Sequence, residues 1–187
     1  MKKIFCFLFL LNSLCFWAQT DCDYAVNTKD SLGIYKATQD YVVHERIFGN
    51  TQTSIFFSLI NADGVLSLNF QLLQKSKDFV PAHCFDKNSK IYLQLNNGKI
   101  VTLVGISQES CGNNLRTNEG NNRLLTGYFL FKKDTFEHLK NCPITMIRVL
   151  YSGEQIDYVM KDTLVSEVDK KTYHPDHFFM DYLKCVE

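Results

Sequence analysis

The chain is expected to be a β-rich α+β domain. It should hold about eight mostly antiparallel strands, as a curled sheet or a sandwich, with one short helix and a C-terminal helix covering the sheet. Two observations predict this and a third sets the order. Three pairs of β-branched and aliphatic runs are joined by Asn61-Ala62-Asp63-Gly64, Asn97-Gly98 and Ser152-Gly153, each a hairpin signal. The tail places Phe178, Phe179, Tyr182, Leu183 and Val186 at i, i+1, i+4, i+5 and i+8, an apolar stripe wide enough to lie on a sheet. Between the second and third hairpins, Asp134 precedes Glu137 by three residues, the spacing of a capping box.

From the N-terminus, Asp21–Gly33 is polar and reads as irregular, with Asp30, Ser31 and Gly33 marking a turn. Its aspartates do not follow the calcium-loop spacing, which leaves a solvated segment. Ile34–Phe48 is rich in Tyr, Val, Thr and Ile and reads as one long strand. The hairpin at Asp63-Gly64 follows, then a connection over Lys75–Ser89 through Pro81, His83 and Cys84. Asn97-Gly98 suits a two-residue type I′ turn, which pairs Leu95 with Ile100, Leu93 with Thr102 and Ile91 with Val104. Ile106–Arg123 is dense in Asn, Gly and Ser and has no hydrophobic period, so it reads as a long loop. Leu124–Phe131 resumes as a strand, and a short helix runs to Lys140 until Cys142-Pro143 stops it. The third hairpin pairs Val149 with Ile156 and Ile147 with Tyr158, and sets Arg148 across from Asp157 as an ion pair. Pro175 opens the tail helix over His174–Glu187.

Lys2, Lys3 and the apolar run Ile4–Leu11 form the pattern of a secretory leader cleaved near Ala18. The run is too short to span a bilayer, and Asn12 and Ser13 interrupt it. The expectation is therefore a leader over residues 1–18 and a single exported domain over 19–187, periplasmic or extracellular, with no transmembrane segment in the mature chain. Without Lys2 and Lys3 the mature chain carries 18 basic against 20 acidic residues. It has no basic run of five or more, so nucleic acid is not an expected partner. Five cysteines remain, Cys22, Cys84, Cys111, Cys142 and Cys185. With no Cys-x-x-Cys among them, they are disulfide candidates: two bridges and one odd thiol, in any pairing, with Cys185 expected in a bridge.

Motifs that carry chemistry are absent: no H-E-x-x-H, no Walker loop, no G-x-G-x-x-G, no nucleophile elbow. His83-Cys84 resembles a nucleophile beside its base, but neighbours in an extended chain face opposite ways, and a bridged Cys84 is the plainer account. His174-Pro175-Asp176-His177, with Asp181 four residues on, could contribute to a site for zinc or another transition metal, although a covering helix explains the same stretch. No catalytic residue, metal ligand or cofactor is assigned.

The order of parts resembles a group of small exported proteins of Gram-negative bacteria. The shared features are a cysteine near the mature N-terminus (Cys22), hairpins with N-G or D-G turns, the strand pair PITMIRVLYSGEQIDYVM after a short helix, and the closing FFMDYLKCVE. The resemblance implies no activity. Function is therefore open between three classes. The leading one is a non-catalytic exported binding or envelope-associated module with a protein or small-molecule partner. A hydrolase would have to assemble its groups in space from residues such as His44, His83 or His138. An apolar-ligand carrier would draw on the 15 Phe and 9 Tyr, which a packed core explains as well.

Overall fold

Turn chemistry fixes most of the strand pairs. In the computed structural model, which describes residues 21–187 apart from positions 32, 107, 108, 119 and 133, Asp63 and Gly64 both take positive φ. They close β4 (Thr51–Ala62) onto β5 (Val65–Ser76) as a two-residue hairpin with Ala62 opposite Val65. The leader expected over residues 1–18 lies outside the described residues. The pair β10 (Ile144–Tyr151) and β11 (Glu154–Val159) has the expected register, with Arg148 opposite Asp157. Their side chains bond at 2.6 and 2.7 Å. That contact holds the Asp157 carboxyl below its ordinary value.

The hairpin of β6 (Lys90–Leu95) and β7 (Ile100–Gly105) differs by one residue from the expected register: Leu93 faces Val101, not Thr102. Only Gly98 takes positive φ, at +81°. The Gly98 N–H donates to the Leu95 carbonyl at 3.0 Å, and the Leu95 N–H donates to Lys99. This is a three-residue loop with its left-handed position at glycine, not a type I′ turn. The shift puts Val101 and Leu103 in the core with Ile91, Leu93 and Leu95, and leaves Ile100 63% exposed.

Thirteen strands are present among the described residues, more than the eight expected. Asp21–Gly33 is not irregular, since β1 (Tyr24–Asp30) pairs with β2 (Gly33–Thr38). The long strand read over Ile34–Phe48 breaks at Gln39-Asp40 into β2 and β3 (Tyr41–Phe48), which flank the same side of β4 in succession. Part of the presumed loop is also sheet: β8 (Asn113–Thr117) forms a hairpin with β9 (Gly120–Phe131). Polar strands of this kind carry no hydrophobic alternation, so periodicity misses them. The main sheet runs β1-β2-β4-β5-β9-β7-β6-β10-β11, and a small separate pair joins β12 (Leu164–Val165) to β13 (Thr172–Tyr173).

The sheet curls without closing, and its hollow is filled from three sources. Helix α2 (Phe178–Val186), entered through a 3-10 turn at Pro175–His177, buries Phe178, Phe179, Leu183 and Val186. The connection between β5 and β6 inserts Phe85, whose ring packs on Phe70, Phe129 and Tyr151 at 5.2–5.6 Å. Gly127 makes room for that ring, because a Cβ there would lie 2.7 Å from it. Helix α1 (Phe136–Asn141) adds Leu139. Its expected capping box does not form: Asp134 has φ +69°, Thr135 is the N-cap, and no side chain caps the helix.

Cys22 pairs with Cys185 and Cys84 with Cys111, while Cys142 is free and buried, its thiol donating to Asn96 Oδ1 at 2.9 Å. Two bridges suit an oxidising, exported setting. No helix among the described residues is long and apolar enough to cross a membrane.

Candidate functional site

A β-bulge decides what the hollow side of the sheet displays. Between Val42 and His44 the pairing of β3 with β4 slips, so Val43 is the extra residue and His44 falls opposite Ile55. Residues paired across neighbouring strands share a face. One row therefore holds His44, Ile55, Leu72 and Leu125, and the next holds Arg46, Thr53, Gln74 and Arg123. Ile55 and Leu72 are buried in the core. The concave face thus passes from apolar to polar within a single pleat.

A cavity of about 240 Å³ opens at this boundary, lined by His44, Arg46, Thr53 and Gln74 on one side and by His83 and Tyr158 on the other. The connection between β5 and β6 brings His83 there, because Cys84 is tied to Cys111 and its carbonyl accepts the Ser152 N–H of the β10–β11 turn at 2.8 Å. His83 Nδ1 lies 2.6 Å from Glu154 Oε1. With the carboxylate accepting, the proton sits on Nδ1 and Nε2 keeps its lone pair. Behind His83 stacks Tyr151, whose hydroxyl meets that of Tyr158 at 3.0 Å, and the Tyr158 ring stands 5.1 Å from that of His44. Burial pushes both phenols up. The His44 imidazole is held below its usual value, first by burial and then by the positive charges of Lys161 and Arg46.

The carboxylates nearby are already engaged, Asp157 by Arg148 and Glu154 by His83. Among the described residues, the groups that face the cavity without such partners are the Arg46 guanidinium, the Gln74 amide, the Thr53 hydroxyl and the His44 imidazole, each able to donate. Of the three histidines named as possible catalytic groups, the cavity gathers His44 and His83. His138 lies on α1 instead, with its ring 3.3 Å from Lys99 Nζ. Arg46, Thr53, Gln74, Glu154 and Tyr158 were missed in the sequence, since nothing local marks a bulge. The third hairpin's register did place Tyr158 beside the Arg148–Asp157 pair.

The zinc-type candidates fall elsewhere. His174 and Asp181 line a second cavity, while His177 Nδ1 sits 2.8 Å from Asp176 Oδ1. No group of three or more His, Cys, Asp or Glu among the described residues is placed to hold a metal ion. Compared with protein families, curated proteins and solved structures, the chain matches none.

Proposed function

We propose that the protein acts after export, in the periplasm or outside the cell, as a non-catalytic binding module that takes a small anion in the His44–His83 cavity. The observation that carries this is the convergence of Arg46, Thr53, Gln74 and His44 on one hollow whose carboxylates are engaged elsewhere. Its volume lies below the roughly 300–1,000 Å³ of sites for drug-sized ligands, which favours a compact carboxylate or phosphate ester. Calorimetric titration of a panel of such anions should find saturable binding. Arg46→Ala should weaken it by about tenfold or more, the scale of a charge-assisted hydrogen bond.

The pH dependence has a definite sign. Free His44 is biased toward neutrality by burial first and then by Lys161 and Arg46, and a bound anion offsets the charges of those two. Binding therefore takes up a proton. Affinity should rise as pH falls from neutrality and level off where the free protein is protonated as well. His44→Gln should flatten that slope, and a slope that survives the change would remove His44 from the site.

The 2.6 Å contact of His83 with Glu154 favours a second reading, a hydrolase in which Nε2 of His83 serves as general base. The same panel, extended to esters and phosphodiesters, separates the two: turnover abolished by Glu154→Gln would replace binding with catalysis. Export has its own check. Mass spectrometry of protein purified from its native host should find an N-terminus near Gln19, and an intact Met1 in the cytosol would contradict it.

A further inference from the structure

We propose that the cavity between the start of β3, the β12–β13 pair and α2 is a binding site for an organic cation, specifically a quaternary ammonium group. This hollow, of about 540 Å³, is distinct from the anion site and is lined by Tyr41, Tyr173 and Tyr182 together with Asp23, Asp40 and Asp181. The Tyr41 ring is the one the other two share, and it also packs on Phe178 at 5.4 Å. Tyr173 stands against it at 4.9 Å and 85°, and Tyr182 at 5.2 Å and 56°, so the rings meet at steep angles and not in one stack. Such a corner offers π-faces to a cation from several directions.

The corner is built from several elements. Tyr41 accepts the His174 backbone N–H at 2.6 Å, and Tyr173 donates its hydroxyl to Asp169. The loop between β12 and β13 is moored to β3 through Glu45, which accepts from Ser166 Oγ at 3.0 Å and from the Glu167 N–H at 2.6 Å. The walls are thus held by contacts within the chain.

The charge in the hollow selects the sign of the ligand. Three carboxylates line it against one ammonium, that of Lys171. Asp40 accepts the Gln71 amide at 3.0 and 3.1 Å. Asp181 makes no hydrogen bond or ion pair among the described residues, although its surroundings include His174, His177 and Lys184, and burial pushes its carboxyl up. It is a partly buried carboxylate beside aromatic rings, with no hydrogen-bond donor among the described residues. His174 adds no free donor at Nδ1, which lies 2.8 Å from the Asp162 carbonyl. A hard metal ion would need several oxygens converging at about 2.0–2.6 Å, and no such group of three is present among the described residues. A quaternary ammonium carries no N–H and needs no acceptor, so ring faces plus one diffuse negative charge suit it.

The test uses the oxidised protein, choline as the probe, and 3,3-dimethylbutan-1-ol as its neutral isostere, followed by calorimetry and by the ligand's methyl resonance. Choline should bind saturably, and the isostere about tenfold more weakly or less than that. Asp181→Asn and Tyr173→Leu should each weaken choline by a similar factor, while Lys171→Ala should leave it unchanged or tighten it. Tyr173 is partly exposed on a two-residue strand, and Asp181→Asn is nearly isosteric, so at least one variant stays folded. Equal affinity for the isostere would show a merely apolar hollow, and a choline signal without saturation into the tens of millimolar would show no site. Either outcome overturns the proposal. Arg46→Ala should leave choline binding intact, so the outcome here is independent of the anion site.

Discussion

Replacing Phe178 with alanine should lower the unfolding free energy by about 3–5 kcal/mol, a large part of the roughly 5–15 kcal/mol that holds a domain together. The ring is 1% exposed and packs against Tyr41, Phe57, Phe179 and Tyr182 at 5.1–5.6 Å. Its neighbours belong to β3, β4 and α2, so they cannot collapse into the gap together. His177→Ala, one residue earlier in the chain, should stay within about 0.5 kcal/mol, because that imidazole is half exposed and its side-chain hydrogen bond among the described residues is to Asp176. Urea melts of both variants, with and without zinc and chelator, measure the contrast. A zinc-dependent midpoint lost in His177→Ala, beside a near-neutral Phe178→Ala, would make this turn a metal site instead of a cover.

The double change Cys22→Ser and Cys185→Ser is expected to be comparably severe. The bridge spans a sequence separation of 163, against 27 for Cys84–Cys111. In the chain-entropy account the first is worth about 5 kcal/mol and the second between about 3 and 4. The native state adds its own dependence: Tyr24 donates to the Cys185 carbonyl at 2.8 Å, and Lys140 Nζ lies 2.6 Å from Glu187 Oε1. Urea melts of each double-serine variant should rank the long bridge above the short one by about 1.6 kcal/mol. The reverse ranking would mean that local order around Phe85 and Ser110 outweighs loop length.

How much of this was legible in the sequence depends on where the information sits. Ser152-Gly153 lies between two alternating strands, and its register came out residue for residue down to Arg148 opposite Asp157. Asn97-Gly98 signalled a hairpin just as clearly, yet the pair is compatible with both a two-residue and a three-residue loop, and Gly98 alone takes the left-handed position. The resulting slip moved every partner by one. The β8–β9 pair was invisible because Asn113–Thr117 is exposed throughout, so no apolar face writes a period into it. Asp134 and Glu137 had capping-box spacing, but the turn at Asp134 left Thr135 to enter the helix. The cavity was the least legible part. His44 and His83 were singled out only as residues that a fold could unite, and the bulge at Val43 that aims His44 and Arg46 inward has no signature in the residues beside it. A site assembled from β3, β4, β5, β11 and a connection is a property of curvature, which local patterns do not encode.

The filling of the sheet by α2 also imposes an order on the protein's manufacture. Phe178, Phe179, Leu183 and Val186 are made after every strand they cover, and Cys185 follows its partner Cys22 by nearly the whole chain. Asn61 likewise waits for the Val186 carbonyl, which it meets at 2.5 Å. While α2 is unmade, the hollow lacks those four side chains and the long bridge has no second sulfur. Pairings this distant close slowly and gain nothing from partial completion. The local hairpins can form as they are made, but the filled hollow and the long bridge both wait for α2.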